Sequence, residues 1–246
     1  MQKKVIVSFS STGRENYNKA QLRLIRSAID TGWNGDYFIR SLDSYVDEYL
    51  GVEIVKGYPI TELYGECNPH VNVPYQFKPY IIQEVKEMGY DVVVWCDSTI
   101  FFEKNITQLL KIANKQGVLA FDNLGFPLNG WLSDYQQDRL RFTDKELLDG
   151  IPQCMGCFLI FDFTNRVCRK IFKQWIEASR DGVSFQNYGS KRRGFVQNRN
   201  DQSYLSGLMY KEGIKMLPYG GLIYEPHNEP PFAYGREYFL INKGIV

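Results

Sequence analysis

The sequence predicts a single α/β domain in which a wound, Rossmann-type mixed sheet is flanked by helices. Three observations predict it. Over the first half of the chain, apolar β-branched runs alternate with amphipathic stretches, the pattern of βαβ units and a mostly parallel sheet. One run, DVVVWC at 91–96, is unbroken, as a strand buried on both faces requires. Across 246 residues no linker, internal repeat or low-complexity tract divides the chain, and this length is enough for one substantial core.

Taken in order, KVIVSF at 4–9 reads as a buried strand, followed by the polar turn SSTGREN. Residues 17–31 place Leu22, Ile25 and Ile29 at helical spacing, and Gly32 stops that helix. DYFIR (36–40) and VEIV (52–55) are short strands. QFKPYIIQEVKEM (76–88) is a helix with Pro79 near its start, where proline is tolerated. After the 91–96 strand, a helix at about 105–115 leads to the strand GVLAFD, 117–122. From Asn123 to Gly150 the composition turns to Gly, Pro, Asn and Asp, which reads as an insertion carrying one or two helices. CFLIFDF (157–163) is a buried strand, and 164–180 an amphipathic helix through Val167, Ile171 and Trp175. A polar, basic loop at 183–200, a helix at about 201–213 and short strands around IKMLP and GLIYE complete the reading.

Composition excludes more than it identifies. A net charge of +1 gives no global field for nucleic acid or a membrane. Hydrophobic residues at 44% and charged residues at 23% are ordinary for a globular protein. Five cysteines (Cys67, Cys96, Cys154, Cys157 and Cys168) are an odd number, mostly inside apolar runs. Cys154 and Cys157 form a lone Cys-x-x-Cys that runs into a strand, which fits neither a zinc ribbon nor a thioredoxin-like site. Free buried thiols suit a reducing compartment. The N-terminus is too briefly apolar for a signal peptide, and nothing approaches the ~18 apolar residues of a membrane span. Both point to a cytoplasmic setting.

The segment QFKPYIIQEVKEMGYDVVVWCDSTIFFEKNI (76–106) resembles the heart of the GT-A glycosyltransferases. In those enzymes a helix opening near a Lys-Pro pair precedes a strand that ends in an acidic motif, usually Asp-x-Asp. Here the pair is Lys78-Pro79 and the motif is Asp97-Ser98-Thr99. MGCFLIFDFTNRVCRKIFKQWIEAS is similar to the family's Gly-containing strand and the helix after it, and NRNDQSYLSGLMYKEGI (198–214) to an Asp-Gln-Ser helix start of small bacterial and viral members. The resemblance implies one GT-A-like domain over 1–246, with a nucleotide-binding half (1–122) and an acceptor- and sugar-binding half (123–246).

It also implies a nucleoside-diphosphate-sugar donor and a divalent metal, Mn²⁺ or Mg²⁺, bridging the two phosphates. Asp97 is the expected catalytic and metal ligand, with Thr99 and His227 completing the metal site. Thr99 departs from the family pattern: a neutral hydroxyl holds a hard cation more weakly than a carboxylate. Asp97 alternatively reads as a strand-end turn residue, and His227 as an exposed loop histidine; His70 is given no role. Asp201 reads both as a helix N-cap and as the base that takes the acceptor proton. Ser8, Ser10, Thr12, Arg14, Lys78, Ser98, Asp122, Asn123 and Gln202 are the expected donor-binding residues. Arg14 is equally a solvated surface arginine. Lys191, Arg192, Arg193 and Arg199, interleaved with Tyr188 and Phe195, allow three readings. They are a solvated loop, a grip on an anionic acceptor, or a diphosphate clamp. The acceptor itself is open among glycan, protein and modified nucleic acid.

The function expected from the resemblance is transfer of a sugar to an acceptor hydroxyl. A sugar nucleotidyltransferase and a non-catalytic nucleotide-sugar-binding module of the same fold are the alternatives. The first lacks a Gly-rich basic N-terminal signature here, and the second draws on Thr99.

Overall fold

A computed structural model describes residues 2–10, 15–41, 48–55, 72–148, 150–224 and 238–243. Seven strands make one sheet in the order β3-β4-β2-β1-β5-β8-β7. They are β1 (Lys4–Ser10), β2 (Asp36–Ser41), β3 (Glu48–Tyr49), β4 (Val52–Val55), β5 (Val92–Cys96), β7 (Val118–Pro127) and β8 (Pro152–Asp162). A small second sheet pairs β6 (Ile100–Phe102), β10 (Leu240–Asn242) and β9 (Leu222–Tyr224) in that order.

The strands β4, β2, β1 and β5 run parallel. β8 is antiparallel to both β5 and β7, so the sheet is mixed, and the expectation of a mostly parallel sheet holds only for the first half. The two stretches differ in their connections. α1 (Glu15–Asp30) and α2 (Phe77–Glu87) each precede a strand laid parallel to β1, as crossovers do. β7 continues past Asp122 to Pro127 and returns through α4 (Asp134–Leu140) and α5 (Asp144–Leu148) to β8, as an antiparallel excursion. The helices expected between 123 and 150 are these two. Of the short strands expected near the end, β9 forms, whereas the IKMLP stretch makes one isolated bridge, Leu217 with Phe121.

The alternation of side chains along β5 builds two cores. Val93 and Trp95 face α2, α6 (Arg166–Arg180) and α7 (Asn200–Lys211); Val92, Val94 and Cys96 face α1, α3 (Thr107–Gln116) and the small sheet. α6 starts where the Asn165 side chain accepts the Val167 N–H at 2.8 Å, an N-cap that satisfies one of the helix's open donors. Gly117, at φ +95°, closes α3 against α6: a Cβ there would meet the Cys168 nitrogen at 2.8 Å. Trp175 is fully buried and stacks on Phe161 at 5.7 Å, while its indole N–H donates to the Asp201 carbonyl at 3.1 Å. That bond anchors the first turn of α7 to the core.

Candidate functional site

The chain builds β1, β2 and β4 to one side and then returns to lay β5 on the other flank of β1. Sheets of this type bind ligands at such a switch, beyond the carboxyl ends of the strands. Asp97 stands there, directly after β5. Its N–H donates to the Cys157 carbonyl at 2.8 Å, and its own carbonyl accepts the Ile100 N–H at 3.0 Å, turning the chain into β6. Asp97 is therefore a strand-end turn residue placed at the switch point.

Two more elements deliver charge to this point. α2 begins at Phe77, so Lys78 and Pro79 lie in its first turn, where backbone N–H groups lack helical partners and proline costs nothing. Lys78 is buried, and its ammonium donates to the Gly156 carbonyl at 2.9 Å. It lies 3.3 Å from Asp97 Oδ1 and 3.8 Å from Asp201 Oδ2, which comes from the first turn of α7. Trp95 donates its indole N–H to the same Asp97 Oδ1 at 2.8 Å. One buried ammonium thus sits between two carboxylates.

The electrostatics follow from that geometry. Burial raises the Asp201 carboxyl to about 6; Lys78 opposes the rise and the Asp97 charge adds to it. Burial alone pulls the Lys78 ammonium down, but Asp97 and Asp201 together lift it above the ordinary lysine value. Asp201 Oδ2 is buried and has no hydrogen-bond partner among the described residues. A carboxylate ionised at neutral pH, held beside a cation and with an unsatisfied oxygen, is poised to accept a proton.

These residues line a cavity of about 280 Å³, joined by Tyr75, Gly156, Cys157, the segment 197–202 and Asn242 of β10. A second hollow beside Trp33 and Asn105 holds about 10 Å³, room for a single water. Two of the four non-glycine residues with left-handed backbone among the described residues line the larger cavity. Tyr75 and Asn200 both have left-handed backbone, at φ 61° and 46°, a conformation that persists only where the surroundings impose it.

Among solved structures the chain is similar to WbbM, a bifunctional glycosyltransferase in its apo form. The TM-score is 0.59 at 17% identity, over 99% of this chain and 46% of that one. The chain spans less than half the length of that protein. The mixed seven-stranded sheet between helices is a GT-A-like glycosyltransferase fold. No protein-family model and no curated protein sequence matches the chain. A likeness at this identity establishes architecture, and function has to be argued from the site.

The structure brings together Lys78, Asp97, Asp201 and Gln202 at the cavity. Gln202 also ties α7 to β8: its Oε1 accepts the Gly156 N–H at 3.4 Å and its Nε2 donates to Gln153 at 2.9 Å. Gly156 permits this approach, since a Cβ would meet Gln202 Oε1 at 3.2 Å. Ser98, Thr99, Asp122 and Asn123 do not line the cavity. Ser98 and Thr99 are the buried central residues of the turn, and Asp122 lies on β7, where its N–H donates to the Leu217 carbonyl. Ser8 and Ser10 are buried at the end of β1 within a side-chain network formed by Asn18, Gln21 and Ser41. Thr12, Arg14, His70 and His227 lie outside the described residues.

The expected divalent-metal site was a set of Asp97, Thr99 and His227. Asp97 Oδ1 is already engaged by Trp95 and Lys78, and Thr99 is absent from the cavity lining. Among the described residues no three His, Cys, Asp or Glu side chains group to hold a metal ion. The third member of the expected set, His227, lies outside the described residues.

The basic loop divides. Arg192 spends its guanidinium on the Asn129 carbonyl (3.0 Å), the Leu132 carbonyl (2.5 Å) and Gln137. Lys191 and Arg193 are exposed. Arg199 is among the residues that line the cavity. Sequence reasoning gave Arg199 no separate role and missed Tyr75, Gly156 and Asn242, whose membership depends on contacts far apart in the chain.

Proposed function

We propose that the chain is a glycosyltransferase that moves a sugar from a nucleoside-diphosphate sugar to an acceptor hydroxyl. The observation that carries this reading is the convergence of Asp97, Lys78 and Asp201 at the switch point of a GT-A-like sheet. Asp201 is the general base. It takes the acceptor hydroxyl's proton as that oxygen bonds to the anomeric carbon, and the bond from that carbon to the phosphate oxygen breaks. The electron pair leaves with the nucleoside diphosphate, so charges and atoms balance in a single displacement. Lys78 keeps Asp201 ionised in a dry setting, where unpaired carboxylates protonate. Asp97, fixed by Trp95, holds Lys78 in place and presents its outer oxygen to the donor. Bound geometry supplies much of the rate, because the reacting groups no longer need to find one another.

The test is release of nucleoside diphosphate from a panel of sugar nucleotides, with and without Mn²⁺ and with candidate acceptor alcohols. Release from at least one donor, accelerated by an acceptor, is the expected result. Pyrophosphate formation from a sugar phosphate and a nucleoside triphosphate would indicate a nucleotidyltransferase instead. Donor binding with no turnover under any condition would indicate a binding module.

A further inference from the structure

A donor diphosphate brings dense negative charge into a cavity whose buried cation, Lys78, is already matched by two carboxylates. The cavity holds one more cation. Arg199 lines it, and no carboxylate among the described residues lies within ion-pairing distance of its guanidinium. Its side-chain N–H groups likewise make no hydrogen bond to any described residue. Its guanidinium carbon sits over the rings of Phe126 at 4.5 Å and Trp131 at 5.0 Å. Aromatic faces hold a guanidinium by its plane and leave the N–H edge for acceptors lying in that plane. The backbone is fixed as well: the Arg199 N–H donates to the Trp131 carbonyl at 3.3 Å and to Ser203 Oγ at 3.2 Å. Arg192, seven residues earlier, shows what a structural arginine does in this loop, since each of its guanidinium nitrogens donates to a protein oxygen. A half-buried guanidinium held on two rings, with no described acceptor for its donors and belonging to a residue that lines a polar cavity, is arranged for an anion with several oxygens.

We propose that Arg199 is the cation that binds the donor's diphosphate, in the role the family resemblance gave to a divalent metal. This rests on the glycosyltransferase reading above and adds the group that takes the leaving charge. As the anomeric bond breaks, the electron pair settles on the β-phosphate oxygens, and the Arg199 N–H groups meet that charge without rearranging.

The experiment is an NMR and calorimetric titration of the purified chain in EDTA. The probes are uridine, guanosine, adenosine and cytidine 5′-diphosphates and the corresponding unphosphorylated nucleosides. The proteins are wild type, Arg199→Met, Arg199→Lys and, as a control, Arg193→Gln, with melting temperatures recorded for each. At least one diphosphate binds the wild type without metal. Arg199→Met then weakens it about 10- to 100-fold, the worth of one or two charge-assisted hydrogen bonds. Arg199→Lys keeps part of that affinity, Arg193→Gln keeps all of it, and the nucleoside affinity does not move. Equal losses on nucleoside and diphosphate would mean that Arg199 only shapes the loop, which overturns the proposal. So would unchanged diphosphate affinity in Arg199→Met, or wild-type binding that appears only with Mn²⁺. If no diphosphate binds the wild type with or without metal, the glycosyltransferase reading falls, and this proposal with it.

Discussion

The carboxyl ends of β1 and β5 are neighbours in the sheet and both are polar, yet they are in opposite states. At the end of β1, the Ser10 hydroxyl lies 2.7 Å from Asn18 Oδ1 and 3.0 Å from Ser41 Oγ, while Gln21 Nε2 donates to the Ser8 hydroxyl and to the Arg40 carbonyl. The hydroxyls of Ser8 and Ser10 are thus answered from within the protein. Beyond β5, Asp201 Oδ2 is buried without a hydrogen-bond partner among the described residues, and Arg199 has guanidinium N–H groups that no described oxygen accepts. Polar residues at a strand end are common to both places. The difference between these two strand ends is that one closes its hydrogen bonds within the protein and the other leaves groups open at a cavity, and an unpaired buried polar group costs stability.

Asp201→Asn gives the largest expected effect. It removes the base and lowers kcat by roughly 10²- to 10⁴-fold, the usual contribution of general base catalysis. The same change should not destabilise the protein at neutral pH. Asp201 binds its proton more tightly in the folded chain than in the unfolded one, where a carboxyl titrates near 4. Its contribution to stability is therefore fully present below that value and lost as pH rises through about 6. Asparagine escapes that loss, so the variant should melt no lower than wild type at pH 7.5. A melting temperature well below wild type would show that the buried charge is structural.

The pH profile is the next sharpest probe. The base works ionised, so kcat/KM should fall on the acid side with a midpoint near 6 and level off above it. Lys78→Met removes the charge that opposes protonation and should move that limb to higher pH. An unmoved limb in a folded Lys78→Met protein would detach Asp201 from the rate.

The closed end should answer differently. Ser10→Ala leaves buried acceptors without a donor and costs about 1–3 kcal/mol of stability, measured by urea unfolding. Its kcat, per folded molecule, should stay at the wild-type value. A loss of turnover without a loss of stability would make the end of β1 part of the working site. The smallest effect is expected from Lys191→Gln with Arg193→Gln, whose donor affinity should match wild type within error, since both side chains are exposed.

Sequence patterns reach the elements and stop short of their assembly. The 91–96 run reads as a buried strand because its β-branched residues suit a pleat covered on both faces. β8 reads from Cys157 on but begins at Pro152, since PQCMG has neither alternation nor β-branching to mark it. Its antiparallel direction is set by the return through α4 and α5, and an apolar run carries no record of direction. β10, three residues long, exists through its pairing with β6, roughly 140 residues earlier in the chain. The site divides in the same way. Asp97, Lys78 and Asp201 each stand in a recognisable local setting, while their meeting at one ammonium is a tertiary event. Arg199 is indistinguishable from Arg192 in a run of like charges. What separates them is Phe126 and Trp131, about 70 residues away, which hold one guanidinium against their rings, while carbonyls consume the other.

The most direct measurement of the contrast between the two strand ends is a crystal structure with a hydrolysis-resistant nucleotide-sugar analogue. The bond between the sugar and the phosphate should lie in the 280 Å³ cavity, with a phosphate oxygen about 3 Å from the Arg199 guanidinium and Asp201 facing the anomeric carbon. An analogue bound with that bond away from Lys78, Asp97, Arg199 and Asp201 would contradict the account.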